Sequence, residues 1–90
     1  MFSILSEPPV PPDVGEYHLT INVNPSGVGW YDKSPSKYWY NKWDLVTITA
    51  YSLVGYATFA YWSIDGEIVR MNPLVMYVTG DHNIVANFYI

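Results

Sequence analysis

Ninety residues, half of them apolar, 13% charged and none a cysteine, make one thin-cored domain without disulfides or thiolate metal sites. A net charge of −4 with only four basic residues argues against nucleic acid, whose phosphates require clustered Lys and Arg. No apolar run approaches the ~20 residues of a membrane-spanning helix. Residues 1–7 lack the basic region and apolar stretch of a signal peptide, so the chain is expected to stay inside, or to be a mature form or piece of a longer exported one.

Residues 1–15 form an arm. Phe2, Ile4 and Leu5 make an apolar tip, and the run E-P-P-V-P-P-D holds four of the seven prolines. Such a run favours extended polyproline and acts as a semi-rigid spacer. Residues 2–6 are expected to dock on a sheet edge or groove, of another copy in preference to the same chain, a recurring mode of assembly; the alternative is a plain linker.

Residues 16–90 read as one β domain. Tyr17, Leu19, Ile21 and Val23 alternate with His18, Thr20, Asn22 and Asn24, the pattern of a half-buried strand. Pro25-Ser26-Gly27 ends it with turn chemistry, and a short strand over 28–32 follows. Lys33, Lys37 and Lys42, flanked by Asp32 and Asp44, read as a solvated loop face. Tyr38-Trp39-Tyr40 is a further short β-prone run, and residues 45–51, L-V-T-I-T-A-Y, alternate again.

The stretch G-Y-A-T-F-A-Y-W at 55–62 is uncharged and carries bulky side chains on both faces of a regular strand. Phe59 and Trp62, three apart, fall on opposite faces unless a bulge intervenes. Asp65-Gly66 is a strong hairpin signal. Asn72-Pro73 is a break, 74–79 a strand with Leu74, Met76 and Val78 on one face, G-D-H-N a turn, and 84–90 the last strand. No window shows helical periodicity of useful length. The expected fold is all-β: a small antiparallel β-sandwich or partly open barrel of about seven strands.

The motifs L-T-I-N-V-N-P-S-G-V-G at 19–29, L-V-T-I-T-A at 45–50, G-Y…F-x-x-W at 55–62, N-P-L at 72–74 and I-V-A-N-F at 84–88 follow a recognisable order. In that order and spacing the chain resembles the divergent InlB B-repeat family of bacterial repeat domains. The segment after Tyr56 is one residue longer than that family's usual pattern, and the rings between 30 and 43 are denser. The resemblance implies a non-catalytic extracellular module of an exported surface protein, with a β-grasp-like fold as the alternative, and carries over no catalytic residue.

For chemistry there is little material. His18 and His82 lie at opposite ends of the chain and meet, beside Asp81, only if the first and last strands pair; their spacing suggests no metal site. No Ser neighbours a His, and Asp65 and Glu67 flank a turn where acids are ordinary. The expectation is therefore no catalytic residue, metal or cofactor. Trp30, Tyr31, Tyr38, Trp39, Tyr40 and Trp43 are the candidate recognition or interface residues, because exposed rings stack on sugar faces and are enriched at interface centres. The expected roles are a cell-surface spacer, adhesion unit or assembly subunit, self-associating or attached to a parent surface protein. The alternatives are a carbohydrate-binding module and a viral or archaeal coat or filament protein.

Overall fold

Period-two segments become seven strands in the computed structural model, which describes residues 15–90. The arm's tip and proline run lie outside the described residues. The strands are β1 (Leu19–Asn24), β2 (Gly29–Ser34), β3 (Leu45–Ser52), β4 (Thr58–Ile64), β5 (Glu67–Val69), β6 (Leu74–Tyr77) and β7 (His82–Tyr89). They form a four-stranded sheet, β1-β7-β4-β5, and a three-stranded sheet, β2-β3-β6. The architecture is a small β-sandwich, not closed into a barrel. The β-grasp-like alternative is corrected: the described residues hold no helix for a sheet to wrap, since no segment carries a 3.6-residue apolar period.

Four of the strand pairs are antiparallel, and β1–β7 is parallel. Its register sets Leu19 beside His82 and Ile21 beside Ile84, so both strands turn their apolar sets inward. The opposing inner face comes from Val46, Ile48 and Ala50 of β3 and Leu74 of β6, all buried. Gly29 lies under the Phe88 ring, which a Cβ there would meet, so glycine lets the two sheets close without displacing that ring. Asp65 and Gly66, with φ of 50° and 89°, make the β4–β5 turn that their sequence announced.

The aromatic stretch contains the bulge. Phe59 pairs with Phe88 and Tyr61 with Asn87, leaving Ala60 as the extra residue. Strict alternation would have put Phe59 and Trp62 on opposite faces; the bulge turns both inward.

Two other expectations are corrected. Residues 38–40 are not a strand, because only Tyr40 bridges, antiparallel to Tyr17. The surrounding loop is tied by its own polar groups: Lys33 Nζ donates to the Lys37 carbonyl at 2.8 Å, and Lys37 Nζ to Asp44 Oδ2 at 3.1 Å. Lys33 and Lys37 are thus not a solvated face; their ammonium groups lie 5.3 and 5.6 Å from the centre of the Tyr40 ring.

Candidate functional site

The six rings expected to form one recognition segment divide among three environments. Tyr40 is fully buried: its hydroxyl donates to the Pro35 carbonyl at 2.7 Å and accepts the Lys37 N–H at 3.2 Å. Burial raises its pKa above the usual phenol value. It plugs one end of the core and is no surface ligand, which corrects its assignment. Tyr31 is half-buried against the core and stacks on Trp30, with centroids 4.9 Å apart and planes at 27°. It supports the surface ring without being one, a second correction.

Tyr38 and Trp39 gather around His18, with ring centroids 4.8 and 5.6 Å from the imidazole. This is a small satellite cluster. His18 Nδ1 lies 3.0 Å from the Tyr38 carbonyl, which fixes the ring against the loop.

Trp30 and Trp43 belong to a larger surface. Along β3, buried Val46, Ile48 and Ala50 alternate with outward Leu45, Thr47, Thr49 and Tyr51. Register places Tyr51 beside Trp30 on β2, and Leu45 beside Tyr77 on β6. Trp43 closes the far end, its ring edge-on to Tyr77 at 6.4 Å. The outer face of the three-stranded sheet therefore carries ring clusters at two ends, with Thr47, Thr49 and Val75 between them. Sequence reasoning missed Tyr51, Leu45 and Tyr77 as members, although alternation in their own strands already turned them away from the core.

Trp43 also has an unusual backbone. Its φ is 73°, in the left-handed region that a bulky residue rarely adopts, and its ring is 62% exposed. Such a conformation costs on the order of 1–3 kcal/mol and persists where function or packing requires it. Here Trp43 N–H donates to the Val78 carbonyl at 2.6 Å, pinning the loop.

The outer face of the other sheet is different. It presents Thr20, Asn22 and Asn24 of β1 beside Asn83, Val85 and Asn87 of β7, and Asn24 Nδ2 donates to Asn87 Oδ1 at 3.2 Å. Tyr61, on the same face, lies under the Arg70 guanidinium at 5.8 Å. Ile68 and Tyr89, paired with Ser63 and Thr58, stand exposed on this face as well. This outer face therefore mixes amides and hydroxyls with scattered apolar side chains, while the other gathers rings at both ends.

The pairing of first and last strands does bring the histidines close in sequence register. His82 N–H donates to the His18 carbonyl at 3.2 Å, and His18 N–H to Asp81 Oδ1 at 2.9 Å. Yet His82 sits opposite Leu19, so the two imidazoles project from opposite faces of the sheet. Among the described residues no group of three or more acids and imidazoles is placed to hold a metal.

His82 makes a relay that sequence reasoning missed. Its Nδ1 is 2.8 Å from Asp65 Oδ2, and Thr79 Oγ1 is 3.3 Å from its Nε2. The order Thr–His–Asp invites comparison with nucleophilic triads. However, the Thr79 backbone N–H donates to Nε2 at 3.1 Å, which occupies the lone pair a general base would need. The relay staples the β6–β7 turn to the β4–β5 hairpin. Asp65 Oδ1 accepts the Asn83 N–H at 2.8 Å, and this bond, with His82 adding to it, lowers the Asp65 pKa below the ordinary 3.8.

No family model, no curated protein and no solved structure matches the chain.

Proposed function

We propose that the chain is a non-catalytic structural module that works by surface contact, as a cell-surface spacer, adhesion unit or assembly subunit. The observation that carries the reading is the contrast between the two outer faces. Trp30, Tyr51, Leu45, Tyr77 and Trp43 stand open on one; on the other, amides and hydroxyls outnumber Tyr61, Ile68, Val85 and Tyr89; and aromatic residues are enriched at interface centres. Trp43 strengthens it, because a left-handed backbone beneath an exposed ring costs stability without burying that ring. Extracellular placement and kinship with the InlB B-repeat family rest on the order of the sequence motifs. The occupied Nε2 of His82 counts against a hydrolytic role for the one relay in the described residues.

The second reading is a carbohydrate-binding module. It is favoured by Trp30 and Tyr51 standing side by side near Asp32 and Thr49, rings for a sugar face and oxygens for its hydroxyls. Trp30→Ala and Trp43→Ala, measured for association by sedimentation and for retention on glycan arrays, separate the two. An assembly module loses association and retains no glycan; a carbohydrate-binding module is monomeric and loses glycan retention. Association and glycan retention both unchanged in both variants would refute a role for this face.

A further inference from the structure

Resting on the contact reading above, we infer that the occupant of the ring-bearing face is a second copy of this chain, packed across a two-fold axis over the middle of β3. Three observations select a copy over an unrelated partner.

The first is area. Trp30, Trp43, Leu45, Tyr51, Val75 and Tyr77 are between 38% and 62% exposed. With ~150–250 Å² for each fully buried ring, they leave on the order of 600 Å² of mostly apolar surface open. That is at the top of the ~300–600 Å² of the largest patch on a typical monomer, and close to the ~800 Å² per partner of a standard interface.

The second is charge. A face that meets itself brings every charge against its own duplicate, so a self-complementary face must be neutral or balanced. The chain as a whole is at −4. Strands β2, β3 and β6 nevertheless hold one acid, Asp32, and one base, Lys33. Lys33 serves the other side, over Tyr40. Lys42, stationed 5.5 Å over the Trp43 ring at the far end, balances Asp32.

The third is arrangement. Tyr51 and Leu45 are six residues apart on one strand, or about 20 Å. An axis running across the strands between Thr47 and Thr49 reverses the partner's β3. The Trp30–Tyr51 end of one copy then meets the Trp43–Tyr77 end of the other, at both ends at once. All four ring clusters are covered, and the contact closes as a dimer and does not propagate. Two sheets packed this way interdigitate at about 10 Å separation.

Thr47 tests the geometry, because its cross-strand neighbours Ser34 and Val75 carry no charge and it lies beside the axis. Sedimentation velocity over a concentration series is run on the 90-residue chain, on Thr47→Lys, on Thr47→Glu, and on an equimolar mixture of the two variants. The expected result is a dimer for the parent, dissociation constants raised at least about tenfold for each variant alone by like-charge juxtaposition, and recovery in the mixture. Recovery also shows that both variants are folded. A dimer that both variants keep overturns the inference but leaves an assembly module working through another surface. A monomeric parent at millimolar concentration overturns the inference and the assembly role together, and leaves this face to a glycan. Loss in both variants without recovery on mixing overturns the two-fold arrangement.

Discussion

Phe59 and Trp62 are three residues apart on one strand and still share a face, with ring centroids 5.4 Å apart. Ala60 is the reason: as the extra residue of a bulge, it shifts the register between Phe59 and Tyr61 by one. Phe88, edge-on to Phe59 at 5.8 Å, completes a cluster that spans both central strands of the larger sheet. Trp62→Ala is expected to cost ~3–5 kcal/mol, enough to unfold a domain this small. Trp62→Phe should cost less than the ring volume suggests, because the buried indole Nε1 has no hydrogen-bond partner and its removal leaves nothing unsatisfied. Trp39→Ala, at a partly exposed ring, should cost under ~1 kcal/mol. Urea unfolding of the three variants checks the order; a Trp39→Ala loss equal to that of Trp62→Ala would misplace the core.

Asn72 acts as a strand residue made from a side chain. Its Oδ1 accepts the Ala50 N–H and its Nδ2 donates to the Ala50 carbonyl, both at 2.9 Å, just beyond the last β3–β6 pair. Asn72→Asp keeps the shape but removes the donor and brings a carboxylate to the Ala50 carbonyl. The expected loss is ~1–3 kcal/mol, with faster amide exchange at Ala50. Unchanged stability and exchange would mean that water replaces the amide at no cost.

Trp43 should separate stability from contact. Trp43→Gly relieves a φ of 73° and removes an exposed ring, so the folded monomer is expected to be as stable as the parent or up to ~1 kcal/mol more stable. Association should weaken. A large loss of stability would show that the ring holds the loop and is not offered to a partner.

Acid should loosen the hairpin staple. Asp65 has its pKa lowered in the folded state, first by the Asn83 N–H and then by His82; Asp44 is lowered first by the Asn41 N–H and then by Lys37. For a depressed carboxylate the stabilisation is present above its unfolded pKa, near 4, and is lost as pH falls through the folded value. Melting temperature should therefore drop below about pH 4. Asp65→Asn should flatten that drop while lowering stability at neutral pH. An acid limb identical to the parent's would remove Asp65 from the account.

The strands were legible because period two survives in β1, β3, β6 and β7, while Asp65-Gly66 marks the β4–β5 turn and Asn72-Pro73 the start of β6. The Phe59–Trp62 spacing marked where a bulge would be needed if both rings entered the core, and the Phe59/Tyr61 register shift supplies it. Tyr40 could not be placed, since its burial follows from one long-range bridge to Tyr17 and from local bonds to Pro35 and Lys37. The same holds for the ring face. Trp30 and Tyr51 are 21 positions apart, and only the β2–β3 register makes them neighbours. Parallel pairing of β1 with β7, which sends the two imidazoles to opposite faces, has no local signal at all.

The most direct test of the contact surface is fluorine NMR of the chain labelled with fluorotryptophan, one resonance for each of Trp30, Trp39, Trp43 and Trp62, followed as concentration rises. The Trp30 and Trp43 resonances are expected to shift or broaden together while those of Trp39 and Trp62 stay in place. Movement of Trp39 with Trp30 and Trp43 unmoved would contradict it.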